Sequence, residues 1–213
     1  MNARDSTAVS RGRAAGACAA LVAGGMLAAS SASAAVSEWL FAIGHAKALA
    51  VSLVSPKEET PLAVTSPAFR NGGAIPCRNT QYCGNVFPGV KWSAGPAGTR
   101  SYAVIMEGPG EGPLFSIHIT AYNIPAAITE LPPGMTVPPA GASLGANVHG
   151  YHHTYAGPHP HGKRRNEYHI QVFALDTPLH VSHSVTFDEL IAAMKGHVLA
   201  DGLLVGFATK PAH

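Results

Sequence analysis

Cysteine is scarce in this sequence, with three residues in 213, and charge is sparse too, at 12% Asp, Glu, Lys and Arg together. No P-loop and no dinucleotide-binding glycine fingerprint occurs, so a nucleotide phosphate has no cradle of those kinds. H-E-x-x-H is absent, as is any paired Cys/His spacing of a structural zinc site. No carboxylate pair poised for acid/base work stands out, and no internal repeat is evident. A binding protein without cofactor is therefore expected rather than an enzyme.

Long apolar runs are missing as well. The stretch "AAGACAALVAGGMLAA" is too short, and too rich in Ala and Gly, to favour a membrane-spanning helix. Arg4, Arg11 and Arg13 precede it as a basic start, and "SASA" closes at Ala34 in an A-x-A pattern. Residues 1–34 thus read as a secretory signal peptide, with a periplasmic or secreted destination. No cysteine follows the cleavage point, so a lipoprotein or other stable membrane anchor is not expected. Cleavage would leave 11 of the 14 Lys/Arg and 11 of the 12 Asp/Glu, a net charge of zero with neutral histidines. Such a chain has no electrostatic reason to seek nucleic acid or an anionic membrane. The run Lys163-Arg164-Arg165 reads as a solvated loop.

Cys18 departs with the signal, which leaves Cys77 and Cys83 six residues apart. In an oxidising compartment they are expected to form a short-loop disulfide. The competing role, a reduced pair on a metal, lacks the further ligands that two thiols need.

Residues 35–60 read as an N-terminal helix and linker, and 61–213 as one domain. From Ser37 to Val54 the residues Trp39, Ile43, Ala46, Ala50 and Leu53 share a helical face, with Ser37 as N-cap. Beyond Thr60 the chain changes to short runs divided by Gly and Pro. "LAVTS", "VKW", "SYAVIME", "SIHITAYNI", "EYHIQVFAL" and "LLVGFAT" read as strands. One further helix is expected from Thr186 to Leu199, with Thr186 and Glu189 as a capping box. The fold class is mainly β with a few peripheral helices.

"CGNVFPGVKW", "GPAGTRSYAVIME", "HITAYNIP", "YAGPHPHG…EYHIQVFALD" and "GHVLADGLLVGF" follow one another in that order. Together they resemble the phosphatidylethanolamine-binding protein family, in its bacterial Raf-kinase-inhibitor-like branch, over about residues 62–207. The resemblance implies two antiparallel sheets and a small surface pocket for a small anion such as phosphate or for a phospholipid head group. It also makes a homodimer plausible. The family pocket has three motifs: an Asp-Pro-Asp loop, a His five residues before the Asn of "NIP", and a Gly-Pro loop leading to His-Arg-Tyr.

This chain keeps His118 five residues before Asn123. Alternation in "FSIHITAY" puts Phe115, Ile117, Ile119 and Ala121 on one face, and Ser116, His118, Thr120 and Tyr122 on the other. Gly108 and Gly110 replace the two acidic residues, flanked by Glu107 and Glu111. Gly157 and Pro158 are kept, His159 stands where the bacterial branch often has Cys, and Asn166, Glu167 and Tyr168 stand for His-Arg-Tyr. The expected ligand-binding set is His118, Gly157, Pro158, His159, Asn166 and Tyr168, with Glu111. Backbone amides of the Gly-Pro loop are a further candidate anion nest. His197 matches a recurrent residue of the branch and is placed on the last helix, while Asp176 is expected to cap a turn.

The alternative is a metal site. His149, His152, His153, His159 and His161 fall within 13 residues, and imidazole suits Zn and Cu. His149, His153 and His159 are the first candidates there.

Overall fold

The computed structural model describes residues 44–150, 154–182 and 184–212. The strands are β1 (His45–Ala46), β2 (Val64–Thr65), β3 (Gly73–Ala74), β4 (Val90–Trp92) and β5 (Ser101–Pro109). They continue with β6 (Phe115–Pro125), β7 (Glu130–Leu131), β8 (Ser143–Leu144), β9 (Asn166–Leu175) and β10 (Val198–Ala208). One α-helix, α1 (Phe187–Met194), is present among the described residues.

The large sheet has the order β1-β6-β5-β9-β10-β3, with β8 beside β6, and the small one the order β2-β4-β7. All pairs are antiparallel except the two-residue pair of β3 with β10. Strand β5 is buried at every position but its last. An antiparallel strand with one wet face alternates apolar and polar residues, so unbroken burial means that both faces are covered. One cover is the small sheet: Val64, Val90, Trp92 and Leu131 pack with Val104, Met106, Ile170 and Val172. The other combines α1 with the first described segment: Ala46, Ala50, Phe187, Leu190 and Met194 pack with Ala103, Ile105, Phe173 and Leu175.

Two expected elements are corrected. From Gly44 onward the anticipated N-terminal helix is instead β1, a bend and a single 3-10 turn at Ala50–Ser52. The N–H of Ala50 donates to Glu107 Oε2 (2.9 Å) and that of Val51 to Gln171 Oε1 (2.8 Å), so the backbone donors serve the sheet rather than a helix. The part of that expectation before Gly44, like the signal peptide at 1–34, lies outside the described residues. Helix α1 does start on the Thr186–Glu189 capping box, but it stops at Met194. Gly196 then takes φ +79°, and β10 begins at Val198. His197 is therefore in the turn after the helix, where its Nδ1 meets Asp176 Oδ1 at 2.7 Å. Lys57 takes Asp176 Oδ2, also at 2.7 Å, so Asp176 joins two chain segments instead of capping its own turn.

Candidate functional site

Strand β6 carries two register shifts against β5. Met106 pairs with Ile119 and Glu107 with Ile117, which leaves His118 as the extra residue. Tyr102 pairs with Ile124 and Val104 with Ala121, a second insertion that includes Asn123 at φ +55°. Bulges re-aim side chains, and here they break the expected alternation. Ile117 and Tyr122 join the α1 side, whereas Ile119 and Ala121 face the small sheet. Asn123 is fixed in turn by Leu179, which donates its N–H to Oδ1 (2.6 Å) and accepts from Nδ2 (2.9 Å).

His118 (β6) and Tyr168 (β9) lie on strands either side of β5, about 10 Å apart at the backbone. Their rings nevertheless meet edge to face at 5.2 Å between centroids. They do so because the strand between them has no side chain there. A Cβ on Gly108 would lie 2.2 Å from Tyr168 Cδ1 and 3.0 Å from His118 Nε2. The two rings close over a glycine.

His118 is 3% exposed. Its Nδ1 lies 2.5 Å from the carbonyl of Ala156, which makes Nδ1 the protonated nitrogen of a neutral ring. Burial pushes the imidazole pKa down to about 4 against the pull of that carbonyl. Nε2 is left as an acceptor, buried and with no hydrogen-bond partner among the described residues. Tyr168 is pushed up to about 12 by burial, with the Asn166 side chain bonded to its hydroxyl.

The Gly-Pro loop is hydrogen-bonded mainly to one neighbouring segment. Pro158 and Pro160 have no N–H, so this segment is rich in carbonyls that need donors from elsewhere. The segment Gln81–Asn85, which runs out of the Cys77–Cys83 loop, supplies them. Asn85 Nδ2 donates to Tyr155, Gln81 Nε2 to Gly157, Gln81 N–H to Pro158 and the Tyr82 hydroxyl to Pro160, at 2.7–3.1 Å. The Gly157 N–H donates to Asn85 Oδ1 at 2.6 Å, and a Cβ on Gly157 would lie 2.6 Å from the Asn79 carbonyl. The Ala156 N–H is taken by the carbonyl of His118. The amides of Ala156 and Gly157 are thus already bonded, and Pro158 and Pro160 have none to offer an anion. The Cys77–Cys83 disulfide is formed, with Cα atoms 5.4 Å apart. A loop of this size contributes about 2 kcal/mol. Cys77→Ser/Cys83→Ser is expected to lower stability by that amount in urea and to speed amide exchange at His159.

A family model described as phosphatidylethanolamine-binding protein matches residues 65–209. The chain belongs to the phosphatidylethanolamine-binding protein family. A UPF0098 protein of Methanothermobacter thermautotrophicus is 33% identical over 144 residues, covering 65% of this chain and 93% of the relative. One of Pyrococcus horikoshii is 32% identical, covering 74% and 82%. Among solved structures, the Chlamydia trachomatis putative phosphatidylethanolamine-binding protein homolog superimposes with a TM-score of 0.64 at 28% identity, covering 71% of this chain and 99% of its own. Escherichia coli YbcL, described as a member of the mammalian family, gives 0.65 at 25% identity, covering 71% and 100%.

In this family member the structure brings His118, Tyr168 and Asn166 together, with Gly157 beside the His118 ring, while Pro158 follows in the chain and is bonded through its carbonyl to Gln81. Glu111 is exposed in the β5–β6 turn, with no described contact to His118. Glu107 points to the opposite side of the sheet, fully buried under the Ala50 turn, and so does not reach into the pocket. Glu167 is exposed, beside the ring of His169 at 3.2 Å. His159 is exposed and stacks on Tyr82 at 4.5 Å, with His161 edge-on to it at 4.9 Å. Among the described residues no group of three or more His, Cys, Asp or Glu is arranged to hold a metal. His152 and His153 lie outside the described residues.

One pattern escaped the sequence reading. Gly141-Ala142-Ser143-Leu144-Gly145 has the G-x-S-x-G spacing of a nucleophile elbow, which requires a sharp strand-to-helix turn. Here Ser143 and Leu144 are β8, paired with Tyr122 and Ala121, and the Ser143 side chain bonds Tyr122. Ser143 is an edge-strand residue.

Proposed function

We propose that this chain is an exported, non-catalytic binder of a small anionic or phospholipid-type head group at the His118 pocket. The observation that carries the reading is His118 Nε2, buried beside Gly108 and Tyr168 and unpartnered among the described residues. A buried polar atom without a partner is unfavourable, so a ligand that hydrogen-bonds it gains more than one meeting a satisfied surface. The neutral ring offers a lone pair, whereas an oxyanion needs a donor. Anion binding therefore draws a proton onto Nε2, and the Tyr168 ring swings off Gly108 to admit the ligand. Two Gly residues in place of carboxylates remove repulsion toward that anion.

The test is calorimetric titration with sulfate, which does not titrate near neutrality, and with phosphoethanolamine. Run near pH 7 in buffers of different ionisation enthalpy, sulfate binding should take up about one proton, and His118→Gln should abolish that uptake. Binding of equal strength in His118→Gln, with no proton uptake in either protein, would rule the pocket out.

A further inference from the structure

A cleft of about 520 Å³, lined by neither His118 nor Tyr168, lies between the Arg70–Ile75 turn and the end of β10. Its volume is that of a small-molecule site. Two guanidinium groups, Arg70 and Arg165, line it, and among the described residues that form its wall there is no carboxylate. Neither arginine is in an ion pair with a described residue. This differs from the solvated loop that the sequence suggests for Lys163-Arg164-Arg165. Arg165 folds back so that its guanidinium carbon lies 3.5 Å from the centre of the Phe207 ring. One Nη reaches the Gly72 carbonyl at 3.4 Å, a long contact that uses one of five N–H donors. Stacking fixes the guanidinium plane and leaves its fork edge free for a bidentate acceptor. Ile75, Phe207, Ala208 and Pro211 supply an apolar wall beside the two charges.

We infer that this cleft is a second ligand site, taking an organic oxyanion that carries an apolar group. The anionic end sits between Arg70 and Arg165, and the apolar end packs on Ile75 and Phe207. Charge alone is not the recognition element, because Lys163 and Arg164 are as exposed as Arg165 and do not line the cleft.

The probes are phenyl phosphate, benzoate and inorganic phosphate, followed by NMR through the backbone amides of Gly72 and Gly73. Phenyl phosphate or benzoate should shift these amides saturably and bind more tightly than inorganic phosphate. Arg165→Gln and Arg70→Gln should each weaken binding by about tenfold or more, the loss of one charged hydrogen-bonding partner. Arg165→Lys should lose most of that affinity despite keeping the charge, while Lys163→Gln/Arg164→Gln should bind as wild type. Equal weakening in the Lys163/Arg164 variant, or a preference for inorganic phosphate, would mean diffuse attraction and overturn the site. The His118 imidazole signal reports the other pocket separately, so either site can fail without the other.

Discussion

Gly108→Ala should lower stability by about 2–3 kcal/mol, whereas the same change in a Tyr168→Ala background should have little effect. The first value is that of overpacking a filled core position, since the added methyl would lie 2.2 Å from the Tyr168 ring. The second follows because the obstructing ring is gone and the methyl enters the space it vacates. A double-mutant cycle by urea unfolding reads the coupling directly. Gly108→Asp, which restores the family's acid, should be at least as harmful, because the ring that meets its Cβ is unchanged. Equal losses in both backgrounds would show that His118 and Tyr168 do not close over Gly108. The result matters for function as well: in this chain the Tyr168 ring fills the space that a side chain at 108 would take.

Stability between pH 4.5 and 6.5 should be nearly flat in the wild type, with opposite slopes uncovered by two variants. Burial raises Glu107 from its usual 4.5 to about 7. In that window the folded state holds more protons than the unfolded, so this group stabilises below 4.5 and loses its contribution as pH rises through 7. His118 is lowered from 6.5 to about 4, so its contribution is full above 6.5 and lost as pH falls through 4. Each shift corresponds to about 3 kcal/mol across its window, and the two oppose each other. His169, also lowered by burial, adds to the histidine side, and Asp201, raised by burial, adds to the carboxylate side. Glu107→Gln should leave stability rising with pH from 4 to 6.5. His118→Gln should leave it falling. Chemical denaturation at five pH values separates them, and parallel profiles in both variants would refute the assignment.

The strands were legible because short β-branched and apolar runs between Gly/Pro turns leave few alternatives. "EYHIQVFAL" differs from β9 by one residue at its start. The first described segment was not legible. Ala46 and Ala50 are buried as a helical period demands, yet the donors of Ala50 and Val51 are claimed by Glu107 and Gln171, which are remote in sequence. His118 was found through the family pattern, but its orientation was not, since a bulge shows only against the partner strand's register. Gly108 looked like a lost carboxylate. Its positive role, admitting Tyr168 to His118, needs the three-strand order β6-β5-β9. Arg165 looked like one of three equivalent cations because nothing local points to Phe207, on a different strand.

The Ala50–Val51 turn also bears on the order in which the molecule assembles. Its two acceptors lie 57 and 120 residues downstream. A chain emerging from its amino end therefore exposes this segment long before Gln171 exists to receive it. The outer layer opposite the small sheet closes late, when β9 is in place and α1 follows. On contact separation alone, the fastening of this strap is expected among the later, non-local steps of folding.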